Sequence, residues 1–68
     1  MTPSEFIALR RRALGLTQKQ LGLLCGYTGR SAESVPQNWE KGRQPVPVEK
    51  LRVLAAALRV PLDSPLIP

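Results

Sequence analysis

Apolar residues recur along most of this chain at intervals of three and four, and no segment alternates with the two-residue period of a strand. The first such stretch runs from Thr2 to Leu14. Phe6, Leu9 and Ala13 fall on one stripe, with Ile7 and Leu14 beside it. Thr2 and Glu5 have the spacing of a capping box, and Pro3 occupies the first helical position, where its missing N–H does no harm. Arg10, Arg11 and Arg12 fall in the last turns, where cations favour the negative end of the helix dipole, and Gly15 supplies a left-handed end. A second helix follows at once. Thr17 and Gln20 repeat the capping-box spacing after Leu16, and Leu21, Leu24 and Cys25 form an inward stripe that ends at Gly26. So short a linker makes the two helices turn sharply against each other.

The stretch from Tyr27 to Ser34 is polar, contains Gly29, and reads as a loop leading into a third helix. Pro36 constrains where that helix begins, because proline has no N–H to donate and clashes with the preceding turn. Two openings fit. Ser34 with Gln37 makes a capping box that puts Pro36 in the first turn, and Ser31 makes an earlier start with a kink at Pro36. Either way the helix carries Gln37, Asn38, Trp39, Glu40 and Lys41, and Gly42 closes it. Arg43 to Val46 is a connection. Pro47 opens a fourth helix on which Val48, Leu51, Ala55 and Leu58 recur, with Leu54 beside them, until Pro61 stops it. The expected fold is all-α, with a helical domain over residues 1–62 and a short tail over 63–68 that makes at best a single turn.

Composition narrows the function classes. The chain has 68 residues, enough for one small domain with a modest core, and at 43% hydrophobic it should fold. It contains no His and a single Cys, Cys25, which reads as a small core residue. Zinc frameworks and internal disulfides are thereby excluded, no metal or cofactor is expected, and a reducing compartment is implied. Met1 to Glu5 does not read as a signal peptide, and no apolar run approaches the ~18 residues of a membrane span. With no His and only 5 acidic residues, no pair of titrating groups suggests an enzyme. The formal net charge of +5, from 10 Lys and Arg, points to an anionic polymer as partner.

Double-stranded DNA fits that description. Its major groove admits one α-helix, so a reader needs side chains that pair with base edges and, around them, donors for phosphates. Gln37 and Asn38 carry the amides that pair with adenine N6 and N7. Arg30 suits a guanine edge or a phosphate, and Ser31 and Ser34 lie where the loop meets the third helix. Thr17 and Gln18 open the second helix with free N–H groups suited to phosphate, and Lys19, Lys41 and Arg43 are further phosphate candidates. Arg10 and Arg12 read first as a solvated, dipole-compensating run, with phosphate contact as the alternative. Trp39 reads as core rather than as a base-stacking ring. Arg11 falls close to the inward stripe of the first helix, where a charge needs a partner, and Glu40, next to Trp39, is the natural one.

The ordered set Leu9-Arg10-Arg11, Leu14-Gly15-Leu16-Thr17-Gln18, Gln20-Leu21, Cys25-Gly26, Trp39-Glu40-Lys41-Gly42-Arg43, Pro45 to Pro47, Leu51 and Leu54-Ala55-x-Ala57-Leu58 resembles the lambda-repressor-like, or XRE/Cro-type, helix-turn-helix family over roughly residues 4–62. The interval from Tyr27 to Asn38 is several residues longer than the family's usual one, and Pro36 stands where the family has a core aliphatic. The resemblance implies a compact four- to five-helix domain in which helices 2 and 3 form the helix-turn-helix and the fifth helix is vestigial. It also implies the same Arg11–Glu40 pair. The function expected from it is sequence-specific regulation of transcription, with repression by promoter occupancy, as in small Cro-like regulators of bacteria and phages. Useful specificity takes two half-sites, which predicts a homodimer on a palindromic operator, with no membrane and no small-molecule ligand involved. The rivals are an antitoxin that sequesters a toxin and represses its own operon, against which the brevity of the tail argues, and a non-specific nucleic-acid module.

Overall fold

A computed structural model describes residues 1–61. The residue-62 boundary, the 63–68 tail and any vestigial fifth helix lie outside the described residues. Four α-helices make up the fold: α1 (Pro3–Ala13), α2 (Gln18–Leu24), α3 (Ser31–Glu40) and α4 (Val48–Leu58). The described residues contain no strand, and the protein is all-α. No helix of these residues is long and apolar enough to cross a membrane.

Local chemistry starts the first two helices as their sequences require. The Thr2 hydroxyl accepts from the Glu5 N–H while the Glu5 carboxylate accepts from Thr2, which also lowers the Glu5 pKa. Thr17 and Gln20 reproduce the same reciprocal pair on α2. All four helices close with the same turn. In each, a residue with positive φ follows the last helical turn, and the next N–H reaches five residues back: Leu16 to Arg11, Tyr27 to Gly22, Arg43 to Asn38 and Val60 to Ala55. The positive-φ residue is glycine at the first three ends, and at the fourth it is Arg59, at φ 57°.

The core comprises Ile7 from α1, Leu21 and Cys25 from the end of α2, Trp39 from α3, and Leu54, Ala55 and Leu58 from α4. Trp39 is 2% exposed, and the Tyr27 ring meets it edge-on at 5.8 Å between centroids. Four apolar assignments from periodicity, on three helices, are corrected. Leu9 is 53% exposed and Ala13 is exposed, while Ile7 faces the core. The inner face of α1 continues from Ile7 through Arg10 and Arg11, whose head groups serve carbonyls and a carboxylate, so an apolar-only stripe picks the wrong side. On α2, Leu24 is 53% exposed and the buried face is Leu21, Gly22 and Cys25. On α4, Val48 is 81% exposed and Pro47 is the cap rather than the first helical residue.

Of the two possible starts of α3, the earlier is present. The helix begins at Ser31 and continues through Pro36, and the Ser34–Gln37 capping box is not formed. Proline at position 36 removes the donor that would bond the Ala32 carbonyl four residues earlier. That oxygen lies against Gly22 of α2, so closely that a Cβ built on Gly22 would stand 1.7 Å from it. The glycine inside α2 and the proline inside α3 are thus two halves of one contact, and they hold α2 and α3 in the most extensive helix pairing of the fold.

Two predictions follow from this packing. Gly22→Ala should strengthen an isolated helix by about 1 kcal/mol, but here the methyl has no space. We expect a loss of about 3 kcal/mol in urea denaturation, and a gain would show that the helices do not approach. The second concerns Cys25, whose thiol is pushed up from 9.0 to about 11 by burial. A raised folded-state pKa gives stability that is complete below the unfolded value and is lost as pH rises through the folded one. Between about pH 9 and 11 the protein should lose on the order of 2 kcal/mol relative to Cys25→Ala. Parallel unfolding curves of the two proteins would refute this.

Candidate nucleic-acid interface

The outward face of α3 is defined by what its inward face buries. Ala32, Pro36 and Trp39 point into the protein, and successive helical residues are about 100° apart. Ser34 and Lys41 therefore lie near the centre of the opposite face, in line with Arg30. Gln37 flanks that line on one side and Asn38 on the other. Arg30, Ser31, Ser34 and Lys41 are exposed, and Gln37 and Asn38 are half-buried. Arg43 is exposed in the turn after α3, where its N–H bonds the Asn38 carbonyl.

An open groove of about 560 Å³ runs along one side of this face, lined by Lys19, Gly29, Arg30, Glu33, Ser34 and Gln37. It brings together four of the positions expected from sequence: Lys19, Arg30, Ser34 and Gln37. Thr17, Gln18, Ser31, Asn38, Lys41 and Arg43 do not line it. Glu33 does, and sequence reading overlooked it. The signal was its spacing, three residues after Arg30 and four before Gln37, which puts it on the same side of the helix.

About one turn along α3 from Gln37, Glu40 forms a two-bonded ion pair with Arg11. Nε donates to Oε2 at 2.6 Å and Nη2 to Oε1 at 3.0 Å, with the side chains 12% and 7% exposed. The third guanidinium nitrogen of Arg11 donates to the Leu16 carbonyl at 2.9 Å, in the turn between α1 and α2. The Gln18 amide also donates to Glu40, at 3.3 Å. This changes the expectation for Gln18: its side-chain amide braces the α1–α3 pair. The Thr17 hydroxyl is likewise engaged, as the cap of α2.

Of the ten basic residues, Arg12, Arg52 and Arg59 are exposed on α1 and at α4 without an ion pair among the described residues, and the other seven divide into two sets. Arg10 donates through Nε and Nη2 to the Leu58 carbonyl at 3.3 and 3.1 Å, and so caps α4 instead of facing a phosphate. Lys50 donates to the Cys25 carbonyl at 3.1 Å, at the end of α2, and its ammonium lies 4.8 Å from the Tyr27 ring centroid. With Arg11, these three cations tie helices together. Lys19, Arg30, Lys41 and Arg43 form no ion pair among the described residues, and all four are exposed on or beside α3. No family model matches the chain, and neither a curated protein nor a solved structure does.

The Arg11–Glu40 pair generates a stability test. Arg11→Ala leaves the Glu40 carboxylate shielded from water without its cation, and should lower stability by about 3 kcal/mol in chemical denaturation. Glu40→Gln keeps the shape and one acceptor and should cost less. An unchanged midpoint in Arg11→Ala would show that the pair carries no weight.

Proposed function

We propose that the protein is a sequence-specific double-stranded DNA-binding regulator of transcription, in which α2 and α3 act as a helix-turn-helix of the lambda-repressor-like kind. The observation that carries this reading is the outward face of α3. It holds the amides of Gln37 and Asn38 on either side of Ser34, with Lys19, Arg30, Lys41 and Arg43 around them. A helix with amides flanking the centre line of its outward face and cations at the two ends of that line matches the base edges and phosphates of a major groove. Its opposite face is clamped by Trp39, by the Gly22–Ala32 contact and by the Arg11–Glu40 pair, so the amides are presented from a rigid support.

Base readout falls to Gln37 and Asn38, with Arg30 and Ser34 beside them. Phosphate binding falls to Lys19, Lys41 and Arg43, and to the N–H groups at the start of α2. One copy covers only a short stretch of duplex. A homodimer spanning two half-sites one helical turn apart, about 34 Å, brings specificity into the useful range. Occupying a promoter in this way represses it. The site of action is the bacterial cytoplasm, where the nucleoid is accessible.

The test is selection of bound duplexes from a random pool, run in parallel with Gln37→Ala and Asn38→Ala. The expected result is a palindromic consensus that relaxes at defined positions in each variant, by about 1–3 kcal/mol per lost pairing. Lys41→Ala should instead weaken all sequences alike and reduce the slope of log affinity against log salt by about one. Binding without any consensus, vanishing as salt rises, would replace this reading with a non-specific nucleic-acid module.

A further inference from the structure

Glu33 is the one carboxylate among the described residues that line the α3 groove, where it shares the walls with Lys19, Arg30, Ser34 and Gln37. It is exposed and forms no ion pair among the described residues. On a surface that meets phosphates an anion weakens every encounter; Lys19 and Arg30 share the groove but form no ion pair with Glu33 among the described residues, so its carboxylate is free to accept from a donor on a bound duplex. An ionised carboxylate only accepts hydrogen bonds. On the floor of a major groove the donors are the amino groups of adenine and cytosine. Adenine presents N6 beside the acceptor N7, which repels a carboxylate, whereas cytosine presents its N4 amino group alone. Glu33 and Gln37 lie one helical turn apart, about 6 Å along the axis, which corresponds to one or two base-pair steps of about 3.4 Å.

We propose that Glu33 is a specificity-determining residue that selects a cytosine, through its N4 amino group, one or two base pairs from the base read by Gln37. The proposal rests on the DNA-binding reading above and extends it to a named base. Glu33 acts largely by exclusion. A base pair presenting an acceptor at that position faces a negative charge, so wrong sites are rejected more strongly than the right site is bound. An acid in the first turn of α3 also complements the helix dipole, but that role affects stability and leaves base preference untouched.

The experiment compares consensus selection and binding to single-substitution duplexes for the unaltered protein, Glu33→Ala and Glu33→Gln, with thermal unfolding of each as a control on the fold. The unaltered protein should show a required cytosine near the Gln37 position. In Glu33→Ala the preference at that one position should fall roughly tenfold, while binding to non-consensus duplex rises. In Glu33→Gln the preferred base should move from cytosine to adenine, because an amide both donates and accepts. An identical consensus in all three proteins overturns the role of Glu33 and leaves the DNA-binding reading standing. Failure of the unaltered protein to select any consensus overturns both.

Discussion

The Arg11 guanidinium stands at the junction of three segments of chain. It leaves α1, holds the Glu40 carboxylate at the end of α3 with two bonds, and reaches the Leu16 carbonyl in the turn before α2. A lysine could not do this, since its point charge lacks the planar fork that satisfies a carboxylate and a carbonyl at once. With both partners mostly shielded from water, the pair is electrostatically strong and correspondingly intolerant of losing either member. Gln18 adds a fourth element to the junction by donating to the same carboxylate. The orientation of α3 relative to α1 and α2 is therefore set by one polar cluster as much as by the apolar core.

A second constraint acts from the other side of α3. Pro36 frees the Ala32 carbonyl, and that oxygen is accommodated only because Gly22 has no side chain. Each residue alone looks unfavourable inside a helix; together they allow two backbones to pack closer than side chains would permit. Cationic side chains complete the assembly by closing helix ends across the fold, Arg10 on α4 and Lys50 on α2. The fourth helix also tolerates Arg59 in a left-handed conformation that disfavours side chains. Its two closing bonds, from Arg59 and Val60 to Ala56 and Ala55, are nonetheless made.

Local signals in the sequence were enough to place three of the helices and the end of α3. Thr2–Glu5 and Thr17–Gln20 announce two starts, and Gly15, Gly26 and Gly42 announce three ends, because capping and positive φ depend on residues close in sequence. The burial of Trp39 and Cys25 and the partnership of Arg11 with Glu40 were also readable, since an apolar giant and an inward charge each leave few options. What was not readable depended on partners distant in the chain. Leu9 and Leu24 fit their apolar stripes, yet they lie exposed because Arg10, Arg11 and Gly22 occupy the inner faces. Only the neighbouring helices reveal why. The start of α3 at Ser31 likewise rests on Gly22 receiving the Ala32 carbonyl, a contact between residues on separate helices. At the candidate interface, searching for amides and cations found Gln37, Arg30 and Lys19, and the same search passed over Glu33 because its charge has the wrong sign for a phosphate.

The groove side chains of α3 stand apart from this internal wiring. Among the described residues, Arg30, Glu33, Ser34 and Gln37 make no side-chain hydrogen bond to the rest of the protein, while Arg10, Arg11, Gln18, Glu40 and Lys50 do. Replacements of these side chains break none of the hydrogen bonds that join the helices. On the DNA-binding proposal, the groove edge of α3 can be rewritten one residue at a time while the supporting helices stay folded, so a change of target need not pass through an unfolded intermediate.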